Sequence, residues 1–290
     1  MPINTGTLDH LVHLTPPGTV EEASRQFEDR GFKVLPGGTH VGGLTANALV
    51  VLADGVYLEL ISFTYPASHY PIGSPEREQR EKHPWAKKEP GWIDFAFLGN
   101  GSHTDSVAQT INERGRAEGS GVKYSPEEDG GRVRPDGQAL KWLISAPAVA
   151  GRGVLPFFCG DVTPRGLRVP SEPPTNTEHP STASGIAFVR ILISSDSFEA
   201  IAGQLTSVVG KKPISSSSRD VIWDLDTVNA NHLGSYARLI LSVPGDEDEI
   251  AFIETSEGGT GIYEVGFYVK DGSKSGSETT PFGKISWVSR

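Results

Sequence analysis

The chain has 290 residues, 37% of them hydrophobic and 21% charged, with a formal net charge of -10. This length suits one large or two modest globular domains, and an acidic chain without long single-sign runs offers no electrostatic footprint for nucleic acid. The single cysteine, Cys159, excludes an internal disulfide and any cysteine-based zinc site. The opening "MPINTGTLDH" lacks the basic and apolar regions of a signal peptide, and no apolar run approaches the roughly 20 residues of a bilayer span. The expectation is therefore a cytosolic (cytoplasmic) protein with no membrane partner.

In chain order, "TLDHLVHL" at 7–14 reads as a strand carrying His10 and His13. Alternation puts His10 with Leu8, Val12 and Leu14, and His13 with Asp9 and Leu11 on the other face. "TVEEASRQFEDRG" then reads as an amphipathic helix with Val20, Ala23 and Phe27 inward and Gly31 at its end. Three strand-like runs follow, "FKVL", "NALVVLAD" and "VYLELISF", with Asp54-Gly55 as a turn between the last two. The glycine-rich "PGGTHVGGLTAN" has no Gly-Lys-Ser/Thr after it, so it is a poor phosphate loop. Glu76 to Lys88 reads as a solvated loop or short helix.

The pattern restarts at residue 91 and again near 186. "GWIDFAFLG" is a strand, "SHTDSVAQTINERG" a helix, and "GGRVRPDG", "QALKWLISAP" and "GVLPFFCGD" are strands. In the third copy "GIAFVRILI" is a strand and "DSFEAIAGQLTSVVG" a helix. "DVIWDLD", "YARLILSV" and "EIAFIET" follow as strands. The helix of such a unit covers one sheet face, so successive copies should pair and leave a cleft. The expected fold class is α+β, with repeated βαβββ units forming curved, cup-shaped mixed sheets and helices outside. Residues 1–165 are expected to form two paired units, 166–185 a Pro-rich linker, and 186–290 a third unit with an extra C-terminal strand and a flexible tail. The run "GIYEVGFYV" fits either a fourth first strand without its helix or an edge strand.

This repeat, with His10 on a first strand and Glu59 on a fourth, resembles the vicinal oxygen chelate superfamily. That group includes glyoxalases, ring-cleaving dioxygenases and bleomycin-resistance binding proteins. Residues 7–63 are similar to its glyoxalase-like branch through Asp9-His10, Gly37-Gly38-Thr39-His40, Thr45-Ala46-Asn47 and Tyr57-Leu58-Glu59-Leu60. "HPWA" at 83–86, "GWIDFAF" and "LPFF" extend the likeness to about residue 160, and the third unit matches by pattern alone. The resemblance implies a divalent metal ion (Fe2+, Mn2+ or Zn2+) in the cup, with ligands from neighbouring first and fourth strands. His10 and Glu59 are then the first ligands, and His40 or Asp94 the next.

The residues themselves support parts of this. Val56, Leu58 and Leu60 form the natural helix-packing face, so Tyr57 and Glu59 point into the cup. A glutamate among leucines needs a partner in any case. His40 would complete a two-histidine, one-carboxylate set, or act at the rim as a general base or substrate ligand. Glu59 and His40 are thus the catalytic candidates, and Asn47, Tyr57, Trp92 and Arg190 the candidate substrate contacts. The second unit offers only Asp94 as an oxygen ligand, since "LPFF" has none, so a four-ligand glyoxalase set is incomplete. Trp92 with Phe157 or Phe158 is expected to form an apolar wall suited to a larger substrate. In the third unit, Arg190 and Glu254 read as an ion pair in a metal-free cup, or Arg190 as an anion site. His13 should pack near the helix. His69, His83, His103, His179 and His232 read as solvated loop residues, with His83 also a candidate for a lid.

The functional expectation is a metal-dependent enzyme acting on a small organic substrate with adjacent oxygens, by lyase, isomerase or dioxygenase chemistry. The alternative is a metal-free small-molecule binding protein of the bleomycin-resistance type. A small-molecule substrate is the expected partner, and pairing into a homodimer is open.

Overall fold

The computed structural model describes residues 3–134, 136–229, 236–270, 275–281 and 283–290, so His232 lies outside the described residues. The first half runs β1 (Thr7–Thr15), α1 (Val20–Asp29), β2 (Leu35–Thr39), β3 (Thr45–Val51), β4 (Tyr57–Phe63) and α2 (Pro75–Lys82). It continues with β5 (Gly91–Leu98), α3 (Val107–Glu118), β6 (Glu128–Val133), β7 (Ala139–Ser145) and β8 (Phe157–Asp161). The second half has α4 (Arg165–Arg168), β9 (Ala183–Ile193), α5 (Ser195–Val209), β10 (Ser215–Ser216), β11 (Asp220–Thr227) and β12 (Ala237–Ser242). It ends with α6 (Glu247–Thr255), β13 (Thr260–Val269), β14 (Gly276–Thr280) and β15 (Gly283–Ser289).

One pairing scheme occurs twice in a single curved mixed sheet. β1 lies parallel to β4 and antiparallel to β5, which is parallel to β8. β9 lies parallel to β12 and antiparallel to β13, which is parallel to β15. "GIYEVGFYV" therefore takes the place of a fourth first strand, with only residues 270–275 between it and β14. The start of β1 joins the halves, because Thr7 and Leu8 pair with Asp226 and Thr227 on β11. The largest apolar core spans both halves and takes in Phe27 of α1, Ile111 of α3 and Leu205 of α5. A second cluster, with Val12, Leu14, Ile61, Phe63, Ala96 and Phe157, lies on the opposite faces of the first-half strands.

Two bulges between β1 and β5 break strict alternation. Leu8 faces Phe97 but His10 faces Ala96, so Asp9 is the extra residue on β1. Val12 faces Asp94 but His13 faces Trp92, so Ile93 is the extra residue on β5. Alternation had assigned Asp9 to the face of His13; instead its carboxylate reaches the ring of its neighbour His10. Strict alternation would likewise put Trp92 and Asp94 on one face, and the bulge separates them. Trp92 packs edge-on to His13 and Phe27, on the α1 side.

The second half departs most from expectation. Residues 247–255 are helix α6, not a strand, because Asp246 caps it by accepting the Glu249 N–H at 2.9 Å and three acidic residues occupy its first turn. Glu254 is exposed on that helix, and Arg190 pairs with Glu249 instead. Residues 276–280, expected to be flexible, pair with β15. The Pro-rich stretch packs against the first half: His179, expected in solvent, is buried, accepts the Lys33 N–H at 2.9 Å and bonds the Val51 carbonyl at 3.0 Å.

Candidate metal and substrate cleft

The strands in order β2-β3-β4-β1-β5-β8-β7-β6 curve into a cup, whose ends meet at a single bridge between His40 and Arg132. They enclose a cleft of about 770 Å³. Its wall includes His10, His40, Asn47, Tyr57, Glu59 and Arg132, with Trp85, Trp142, Ile144 and Phe157 as apolar lining. Such a volume is that of a drug-sized ligand site.

Three side chains converge on its floor. His10 Nε2 lies 3.9 Å from one Glu59 oxygen, and His40 Nε2 lies 3.6 Å from the other. Each is oriented by its own partner. His10 Nδ1 is 2.6 Å from Asp9 Oδ2. Glu59 Oε1 accepts from Asn47 Nδ2 at 2.6 Å, and Asn47 Oδ1 in turn accepts the Gly38 N–H at 3.0 Å. His40 Nδ1 is 2.8 Å from Thr45 Oγ1. Thr45 and Asn47 are two apart on β3, so both face the cup. Gly37 makes the contact feasible, since a Cβ there would sit 2.1 Å from Asn47 Oδ1. Tyr57 stacks on His10 with ring centroids 4.6 Å apart, and Phe157 meets it edge-on at 5.3 Å.

Electrostatics fix the Asp9–His10 pair. Burial alone would push the Asp9 carboxyl up, but Arg168, Arg165 and His10 outweigh it and hold Asp9 well below the usual carboxylate range. Arg168 donates to Asp9 at 3.0 Å and to the Tyr57 hydroxyl at 2.8 Å, and its other edge grips Asp161. An ionised carboxylate only accepts, so His10 Nδ1 carries the proton of their bond and Nε2 is left toward Glu59. Burial pushes the His40 ring down, with Glu59 opposing, so His40 is neutral at pH 7. Burial likewise pushes His83, which also lines the cleft, down to about 4.

Some expected site residues lie elsewhere. Asp94 is fully buried outside the cleft, where it pairs with Arg152 and accepts the Trp85 indole N–H at 2.9 Å. Trp92 forms no cleft wall; its indole N–H donates to the Lys284 carbonyl at 3.3 Å. The apolar wall comes instead from Trp85, Trp142, Ile144 and Phe157. Arg190 belongs to the second half and takes no part in this cleft. Arg168, in the stretch read as linker, and Arg165, at the end of the expected paired units, are the main residues that sequence reasoning missed.

Two imidazoles and a carboxylate facing one another match a divalent cation in donor type, and the Asp9–His10 pair supplies the carboxylate support such ligands usually have. Among the described residues, no group of three or more His, Cys, Asp or Glu is placed so that it could hold a metal ion as it stands. The available set is therefore His10, Glu59 and His40, without Asp94.

Residues 8–209 match the family model described as the glyoxalase-like domain. The chain belongs to this glyoxalase-like family, within the vicinal oxygen chelate superfamily. Comparison with curated protein sequences gave no match. Among solved structures, the glyoxalase-like chain is similar to a hypothetical protein from Staphylococcus aureus, with a TM-score of 0.66 at 12% identity over 98% of this chain and 99% of that one. It is also similar to a mutant 4-hydroxymandelate synthase from Streptomyces coelicolor, with a TM-score of 0.50 at 14% identity over 93% and 72% of the two chains. These likenesses are of fold. No helix among the described residues is long and apolar enough to cross a membrane.

Proposed function

We propose that this glyoxalase-like protein is a divalent-metal-dependent enzyme acting on a small organic substrate with adjacent oxygens. The observation that carries the reading is the convergence of His10, His40 and Glu59, each held by a separate partner. A divalent cation bound there would act as a Lewis acid toward charge developing on substrate oxygen, which lyase, isomerase or dioxygenase chemistry can use. His10 Nε2 and Glu59 are the side chains that would hold it, with His40 completing a facial set.

The chain's own residues do the rest. Asp9 keeps the His10 ring in one orientation and one tautomer. The Asn47 amide fixes one Glu59 oxygen and leaves the other toward His10. Bound through Nε2 and held by Thr45 at Nδ1, His40 would have no free nitrogen, so as a ligand it would not also serve as a base. Trp85, Trp142 and Phe157 exclude water from one side of the cleft and favour an apolar substrate body. The test is metal content after purification without chelators, for the parent, His10→Ala and Glu59→Ala. A stoichiometric ion in the parent and none in the variants is expected. A metal-free parent, with both variants as stable as it, would refute the reading. The cleft's size and apolar lining favour, as second reading, a metal-free binding protein. It would be supported by tight binding of a small molecule without turnover.

A further inference from the structure

Arg132 lies on β6, at the far end of the cup from β2. It is 5% exposed and lines the cleft. Among the described residues its guanidinium has no hydrogen-bond or ion-pair partner. The contrast is local: Arg152 is paired with Asp94, and Arg168 with Asp9 and Asp161. A guanidinium cannot shed its proton at physiological pH, so burying it unpaired is costly. Burial does push Arg132 down, and only the more distant fields of Tyr57 and Glu59 oppose this.

The backbone around it is arranged to keep it there. The bridge between His40 and Arg132 fixes its place at the seam of the cup. A Cβ on Gly38 would come within 2.9 Å of Arg132 Nη1, so the second glycine of the Gly-Gly-x-His segment leaves room for the guanidinium.

We infer that Arg132 binds a carboxylate of the substrate, with the rest of that molecule lying against Trp85, Trp142, Ile144 and Phe157. The inference rests on the reading that this cleft takes the substrate. The planar fork of a guanidinium matches a carboxylate through two parallel hydrogen bonds. A single guanidinium, with the Glu59 carboxylate already in the same cleft, balances one negative charge better than the two of a phosphate monoester.

The test uses calorimetry with 3-phenylpropanoate, 3-phenylpropanamide and phenyl phosphate on the purified protein, and on R132Q and R132K. Expected is at least about tenfold tighter binding of the acid than of the amide, a preference that R132Q abolishes and R132K partly restores. Phenyl phosphate should bind more weakly than the acid. Equal binding of acid and amide, no measurable acid binding, or an unchanged preference in R132Q would overturn the assignment. Tighter binding of phenyl phosphate would overturn the choice of carboxylate. Metal content measured on the same samples separates the two proposals. R132Q should keep the parent's metal, and an acid preference in a metal-free parent would uphold Arg132 while refuting the metal reading.

Discussion

The two halves of the molecule carry the same strand pairing and put it to different ends. In the first, the cup between β1, β4, β5 and β8 is an open cleft floored by His10, His40 and Glu59. In the second, the equivalent concave face is covered. α6 packs there, opposite the face that α5 covers, with Phe252 edge-on to Tyr263 at 5.1 Å and Glu249 paired with Arg190. Arg190 also donates to Ser242 at 3.3 Å, and Glu264 accepts from Ser286. The polar groups of the second cup thus satisfy one another, whereas those of the first turn their free atoms toward a common space. A shared topology sets where a site can form, and the side-chain partners decide whether it is left open.

The largest expected contrast is in stability. Arg168→Ala leaves the fully buried Asp9 without its main partner and should cost about 3–5 kcal/mol in urea unfolding. Arg190→Ala, at a pair whose arginine side chain is 22% exposed, should cost about 1–2 kcal/mol. Equal losses would mean that the two cups are held alike.

The joint between the halves gives a pH test. Burial pushes Asp54 up to about 7, although it accepts N–H groups from Val56 and, across the joint, Ile186 of β9. Its folded value lies above the unfolded value of about 3.9, so its contribution is complete below pH 4 and is lost as pH rises through 7. The loss is at most on the order of 4 kcal/mol. Asp54→Asn should flatten that slope in unfolding measured from pH 4 to 8; an unaltered slope would assign it elsewhere.

Smaller effects separate the cups by chemistry. Asn47→Ala or Thr45→Ala should weaken divalent-metal binding about 10–100-fold with the fold intact, because each supports a ligand without being one. Glu249→Gln, in the second cup, should leave metal affinity unchanged. A matching loss there would place a metal in the wrong half.

Much of this was legible in the sequence, for physical reasons. The strand–helix repeat follows from periodicity, and the inward turn of Glu59 from the leucines beside it. The motif Gly37-Gly38-x-His40 with Thr45-x-Asn47 could be read as a unit, but its purpose shows only when Thr45 meets His40 and Asn47 meets Glu59. The bulges at Asp9 and Ile93 were hidden, since a one-residue insertion leaves no mark on composition while moving Asp9 to His10 and parting Trp92 from Asp94. α6 was misread because "EIAFIET" has strand-like content, and its capping aspartate outweighs that. Arg165 and Arg168 were missed because pairing 156 or 159 residues away from Asp9 has no local signal.

The most direct measurement is metal-edge X-ray absorption on protein purified without chelators and reloaded with Mn2+ or Zn2+. Expected is a first shell of nitrogen and oxygen with imidazole scattering from two histidines, reduced to one in His40→Ala and lost with the metal in His10→Ala. No stoichiometric ion, or a shell without imidazole, would contradict the assignment of the first cup as a metal site.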